Sequence, residues 1–392
     1  MAESFDVVVI GGGVTGASAA WQLARRRARV LLLERDQLAS GGTGRSTAVI
    51  RTHYTHELLA RMALEARRLF ENFNDVVGGD CGFRKTGFLV LSRPADRDAT
   101  AANVAMHRRL GIEAAVMAPH ELREIEPRLA TDQVGAAAWE PNSGVADPHG
   151  TTAAFAAAAR RHGAQVRTEA PVAGLTSDGQ RVTGVTTAWG AMSAGTVLVA
   201  AGFASRELLR PLGVELPVTP VRHPIAVLQR SAAFGRPHPI ISDRVLGSYY
   251  MPEGRQLSLV GTTAPFEGVV DADVHAHRRP AQAELERLGS RFLRRFPAEG
   301  VAQYVRGWTG VYDCTPDLQP VLGAVPGLDG VRVAAGFSGH GFKLSPVIGE
   351  MLAESILQGS AGRFDPCFFS LARFTEGRPI VAHHAYSVPT LG

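Results

Sequence analysis

FDVVVIGGGVTGASAAWQLARRRARVLLLE, residues 5–34, decides the fold. Val7, Val8, Val9 and Ile10 form an uninterrupted apolar run, the pattern of a parallel strand buried on both faces. The run passes directly into Gly11-x-Gly13-x-x-Gly16 and then into a helix of small residues, with Ala17, Ala19, Ala20, Leu23 and Ala24 on its apolar side. A second apolar strand, 30–33, follows and ends on Glu34. The first glycine permits the tight turn, the second lets a pyrophosphate approach the backbone, and the third lets helix and strand pack closely. Val14 and Thr15 open the helix, whose free N–H groups and positive dipole end suit phosphate. Glu34, about twenty residues on, stands where a carboxylate accepts hydrogen bonds from ribose hydroxyls. The stretch therefore predicts a dinucleotide site. An acid at that strand end disfavours a 2′-phosphate, so FAD or NAD is favoured over NADP.

The 392 residues exceed one typical domain, and 45% apolar with 20% charged residues is the composition of an ordinary globular chain. A net charge of +4 with scattered arginines argues against a nucleic-acid partner. The densest cluster, 25–29, falls at the end of the first helix, where cations complement the dipole. Cys81, Cys314 and Cys367 have no metal-ligand spacing and cannot all pair, so no metal and a reducing setting are expected. The first strand begins by residue 5 and no apolar run reaches transmembrane length, so neither a leader nor membrane insertion is expected, and the location is read as cytoplasmic.

Beyond Glu34 the glycine- and hydroxyl-rich segment 35–46 predicts a loop whose N–H groups, hydroxyls and Arg45 suit phosphate or flavin contacts, or else a surface loop. The next apolar run ends on Arg51, whose planar fork can hold a carboxylate from within a cavity, or a surface partner. Helices are predicted over 56–73 and 95–110, and over 147–162 behind the Asp147-Pro148 cap. Strands are predicted over 87–92, 166–172, 182–187 and 196–200, the last running into Ala201-Gly202 and a second close approach to nucleotide. From 218 to 305 the pattern changes to alternating strands (223–229, 239–242, 247–251, 256–262) and a helix over 280–296. A buried strand over 331–335 then meets Gly336-Phe337-Ser338-Gly339-His340-Gly341-Phe342-Lys343 and a helix to about 358. A lysine at a positive helix end is unfavourable unless an anion or chemistry engages it. The fold expected is α/β (α+β overall). A discontinuous Rossmann-type domain (1–80, 145–217, 306–365) carries an inserted antiparallel-sheet substrate domain (81–144, 218–305), with 366–392 as an unassigned tail.

The AAGFSGHGFK run (334–343), the Thr315-Pro316-Asp317 upstream, the Ile50-Arg51…Tyr54 segment and the N-terminal fingerprint together resemble the FAD-dependent amino-acid and amine oxidoreductases related to D-amino-acid oxidase, glycine oxidase and sarcosine oxidase. The resemblance spans nearly the whole chain. It implies that Gly11, Gly13, Val14, Thr15, Gly16, Glu34, Arg35, Ser40, Gly44, Arg45, Ser46 and Thr47 line the ADP half of FAD. Val172, Ala201 and Gly202 approach from the second motif, and Gly310, Gly339, His340, Gly341 and Lys343 lie by the flavin ring. It further implies that Arg51 and Lys343 clamp a substrate carboxylate, with Tyr250 and His340 also catalytic and Tyr54 and Trp308 walling the pocket. Two departures bear on chemistry. Gly310 stands where the sarcosine oxidase branch attaches flavin to cysteine, so FAD is expected to be non-covalent. Residues 257–261 lack that branch's oxygen-activating lysine, so electrons pass either to oxygen with help from another cation or to a different acceptor. The implied activity is oxidation of a small amino acid or N-alkyl amino acid by hydride transfer to flavin, giving an imine that hydrolyses. The alternatives are an FAD subunit of a dehydrogenase complex, hence a hetero- or homo-oligomer, and an NAD(P)H-fed monooxygenase, which the absence of a second GxGxxG disfavours.

Overall fold

A computed structural model describes residues 3–264, 279–359 and 362–389. The opening fingerprint forms strand Ser4–Ile10, helix Val14–Arg25 and strand Val30–Leu33. These belong to an eight-stranded sheet in which Leu328–Ala335, Gly190–Val199, Ser4–Ile10, Val30–Leu33 and Gln165–Arg167 run parallel. The antiparallel strands Val172–Ser177 and Val182–Thr187 extend one side, and Val321–Val325 pairs with Leu328–Ala335. The near-total burial of Val7–Ile10 and Val30–Leu33 follows from cover on both faces. Helix Val14–Arg25 packs between Pro148–Arg161 and Gly341–Gln358. The last crossing is close because a Cβ on Gly349 would stand 2.3 Å from Ser18 Oγ and 2.8 Å from its backbone. One expected strand is corrected: 166–172 is two strands, Gln165–Arg167 beside Val30–Leu33 and Val172–Ser177 at the far edge.

The second eight-stranded sheet runs Gln303–Cys314, Thr219–Gln229, Leu257–Thr262, Ser248–Glu253, Ile240–Asp243, Phe88–Ser92, Ala136–Glu140, Ala115–Met117. It is antiparallel except where Ile240–Asp243 pairs in parallel with Phe88–Ser92. Helix Gln282–Arg295 lies on one face over Leu228, Tyr250 and Val260. Gln303–Cys314 crosses the expected boundary at 305/306 and pairs with Thr219–Gln229 along its length. Three short strands, Val49–Ile50, Gly144–Val145 and Arg84–Lys85, form a third sheet, and Arg51 follows directly on its first strand. No helix among the described residues is long and apolar enough to cross a membrane.

Candidate active site

The nucleotide end is a cradle built by glycines. A Cβ on Gly11 would lie 2.4 Å from Ala200 O, and one on Gly16 would lie 2.0 Å from Gly11 O, so neither position admits a side chain. Helix Val14–Arg25 begins at Gly13, which has no side chain to cap it, so apart from the Thr43 contact its dipole end stays available to an anion. Glu34 stands against the loop, accepting from Gly12 N at 2.5 Å and Asp36 N at 2.9 Å, with Ser40 Oγ at 3.5 Å. Thr43 Oγ1 accepts from Val14 N at 3.1 Å, which ties the 3-10 turn Thr43–Arg45 to the helix start. Gly44 is required there because a Cβ would strike Ala39 O at 2.3 Å and the His149 ring at 2.6 Å. Ser46 accepts from Ala48 N, Ala201 N donates to Ser205 Oγ at 3.2 Å, and Gly202 has φ +58°. Arg35 lies outside this nest, exposed and paired with Asp36. A helix end with a glycine at its cap, glycines at the tight contacts and a carboxylate at the second strand end fit the ADP half of FAD.

A cavity of about 190 Å³ opens against the second sheet, lined among others by Arg51, His53, Tyr54, Phe88, Arg244 and His340. Arg51 is buried, its guanidinium 4.5 Å from the Tyr54 ring centre and 5.8 Å from that of Phe88. Its Nη1 donates to His53 O, while Nη2 has no hydrogen-bond partner and no carboxylate forms an ion pair with it among the described residues. His340 Nε2 lies 2.9 Å from Leu318 O, and a carbonyl only accepts, so the ring proton sits on Nε2. Nδ1 then accepts from Tyr54 Oη at 3.2 Å. Burial, then the neighbouring Lys343, hold His340 down to about 3, and burial pushes Tyr54 up to about 12, so both stay neutral across the working pH range. His340 thus fixes the Tyr54 ring under Arg51.

Lys343 lies in the first turn of Gly341–Gln358, buried and near Arg51, but does not line the cavity. Burial, then Arg51, hold its amine well below the usual lysine range. Gly339 and Gly341 are explained by protein contacts: a Cβ would stand 2.8 Å from the Tyr312 ring and 2.6 Å from the Phe337 ring respectively. Gly310 passes Arg45, whose Cβ is 3.7 Å from where its own would be, and Trp308 Nε1 donates to Arg45 O at 3.1 Å instead of walling the cavity.

Tyr250 is a correction. It faces away from Arg51, under helix Gln282–Arg295, with its hydroxyl 3.1 Å from Arg291 O and 3.3 Å from Asp243 Oδ2. Strand alternation turns its neighbour Tyr249 to the opposite face, where it meets Thr47, Tyr312 and Gly261. The tail is a second finding that the sequence left unassigned. Ile380, Val381, Ala382, Ala385, Tyr386 and Pro389 form one wall of the cavity. They are pinned by Ile380 N to Asp317 (3.0 Å), His383 N to Thr55 O (2.8 Å), Ser387 N to Asp96 (2.7 Å) and Arg244 Nη2 to Val388 O (2.7 Å). Arg244 and Asp96 lie far from the tail in sequence, and no spacing signal ties them to it.

Residues 6–355 match the family model described as FAD dependent oxidoreductase, and the chain belongs to that family. It is 29% identical to the sarcosine oxidase subunit beta of Arthrobacter sp over 98% of this chain and 95% of that one. It is 27% identical to the mitochondrial dimethylglycine dehydrogenase of Mus musculus over 90% of this chain, and spans 42% of that longer protein. Among solved structures it superposes on the L-proline dehydrogenase of P. horikoshii with a TM-score of 0.87 and 28% identity, covering 97% of this chain and 100% of that one.

Proposed function

We propose that this FAD-dependent oxidoreductase oxidises the C–N bond of a small amino acid, an N-alkyl or cyclic one above all. The observation that carries the reading is Arg51, a buried guanidinium with an unpartnered Nη2 on the wall of a small cavity. A buried charge without a counter-ion is costly, and a substrate carboxylate removes that cost. Sarcosine, dimethylglycine and proline, the substrates in the relatives' names, each pair one carboxylate with a substituted amine.

When bound, FAD accepts the hydride from the substrate carbon. Gly11, Gly13, Val14, Thr15, Gly16, Glu34, Ser40, Gly44, Arg45, Ser46 and Thr47 hold its ADP half, with Val172, Ala201 and Gly202 beside them. Arg51 fixes the carboxylate, which restricts how the amine and its C–H can be presented for reaction. Lys343, its amine held low by burial and then by Arg51, serves the same anion from behind, and the negative charge favours its protonated form. Tyr54, locked by His340, and Tyr386 exclude water from the reacting bond. Attachment is non-covalent: Cys314 is buried, and burial, then Asp313, push its thiol up to about 12. Three unpaired cysteines suit a cytoplasmic setting.

A second reading concerns the electron acceptor. Strand Leu257–Thr262 carries no lysine, and the Tyr249 ring stands over Gly261. This favours transfer to a protein or quinone partner over direct reaction with oxygen. The test is anaerobic bleaching of the yellow protein by sarcosine, glycine, proline and D-amino acids, followed by air. Bleaching by an N-alkyl or cyclic amino acid is expected, with slow recolouring if a partner is the acceptor. Bleaching by NADH or NADPH but by no amino acid would overturn the reading.

A further inference from the structure

Behind the Arg51 wall, three buried side chains from separate elements turn lone pairs toward one point. His53 follows strand Val49–Ile50, His107 sits in helix Arg97–Arg109, and Glu140 ends strand Ala136–Glu140. Their exposures are 5%, 0% and 1%. His53 Nδ1 and His107 Nδ1 each lie 3.9 Å from Glu140 Oε1, and the ligand atoms of all three fall within 4.8 Å of one another. None of these three atoms has a hydrogen-bond partner.

The outward-facing atoms of the same groups are all engaged. His107 Nε2 is 2.8 Å from Tyr54 O, so it carries the proton and leaves Nδ1 a bare lone pair. His53 Nε2 is 2.9 Å from Tyr386 Oη, which can accept a proton from it in the same way. Glu140 Oε2 accepts from Thr52 N at 3.0 Å and Ser143 Oγ at 2.7 Å, leaving Oε1 unused. Each candidate ligand is therefore oriented through its other atom, the arrangement that fixes tautomer and aim at metal centres. Facing lone pairs without a cation between them repel, and leaving buried acceptors unpartnered is costly.

We propose that His53 Nδ1, His107 Nδ1 and Glu140 Oε1 bind one divalent first-row transition-metal ion of the zinc class. Two imidazoles and one carboxylate are a donor set such ions take, at about 2.0–2.2 Å. A tetrahedral site at those lengths spaces its ligands by about 3.4 Å, so the two nitrogen–oxygen separations close by about half an ångström from 3.9 Å, and the nitrogen–nitrogen one closes from within 4.8 Å. Against the ion's two positive charges Glu140 sets one negative charge, so the occupied site carries a net single positive charge beside Arg51. The ion would tie the Arg51 loop to the second sheet and to helix Arg97–Arg109. It would hold the His53 carbonyl that receives Arg51 Nη1, a positioning role outside the redox step.

The test is independent of turnover. Metal content of the purified flavoprotein is measured by mass spectrometry, and the protein stripped with chelator is then titrated with Co2+ while its visible d–d absorption is followed. One ion per chain and a saturable Co2+ band with imidazole-type intensity are expected in the wild type. In His107→Gln and Glu140→Gln the bound metal should fall at least tenfold while the flavin spectrum persists. A wild type that holds below a tenth of an equivalent and gives no Co2+ band overturns the proposal and leaves a water in the pocket. Binding unchanged in both variants also overturns it, by placing the ion elsewhere. If neither variant folds, the wild-type content and Co2+ band decide alone.

Discussion

Arg295 and Arg51 are both buried arginines, and the molecule treats them in opposite ways. Arg295 closes on Asp243 with two contacts, 2.6 Å from Nε and 3.1 Å from Nη2, and spends Nη1 on Ala130 O and Asp132 O. Arg51 has one carbonyl, the Tyr54 ring and an idle Nη2. The first arrangement is complete within the chain and joins helix Gln282–Arg295 to the second sheet. The second is complete only when an anion enters. A fully satisfied buried charge marks architecture, and one left open beside a cavity marks a site that binds something.

Breaking the closed pair should give the largest effect. Asp243→Asn leaves Arg295 charged and uncompensated, and should lower unfolding free energy by about 3–5 kcal/mol in denaturant titration. A loss under about 1 kcal/mol would remove the distinction between the two arginines. Arg51→Gln should behave in reverse. Stability holds or rises, because a buried unpaired charge disappears, while kcat/KM falls about 100- to 1,000-fold, roughly 3–4 kcal/mol of transition-state binding. Destabilisation of the size expected for Asp243→Asn would make Arg51 a structural residue. The smallest effect concerns Lys343, whose amine is held low by burial and by Arg51. A bound carboxylate raises that value again, so binding takes up a proton in the window between the depressed value and the ordinary 10.5. Affinity for a carboxylate inhibitor should then weaken as pH rises through that window, by up to about tenfold per unit. Calorimetry in buffers of different ionisation enthalpy reads the uptake directly, and zero uptake would place Lys343 outside the clamp.

The fingerprint was legible because strand, glycines, helix and acid are contiguous, and Gly11 and Gly16 are fixed by backbone contacts that any side chain would violate. The cavity was legible only in part. Arg51 is announced by the apolar run it ends, whereas Arg244, Tyr386 and the His53, His107 and Glu140 cluster come together from segments whose spacing carries no pattern. Tyr250 shows how a period-2 element defeats alignment. A shift of one residue in Ser248–Glu253 exchanges the face toward Thr47 for the face toward Phe292. The helices and the two-faced strands needed no such register and could be read from apolar spacing alone.

The parallel pairing of Ser4–Ile10 with Gly190–Val199, Val7 opposite Thr196 and Ile10 opposite Val199, has a consequence for synthesis. The first strand made must wait for a partner almost two hundred positions later, and Gly190–Val199 waits again for Val331–Val333. Contacts so distant along the chain make folding slow, since loop-closure entropy precedes their gain. A chain stalled before residue 190 presents Val7, Val8, Val9 and Ile10 as an open apolar edge, and newly made chains of this protein should depend on chaperones that shield such edges until the second half emerges.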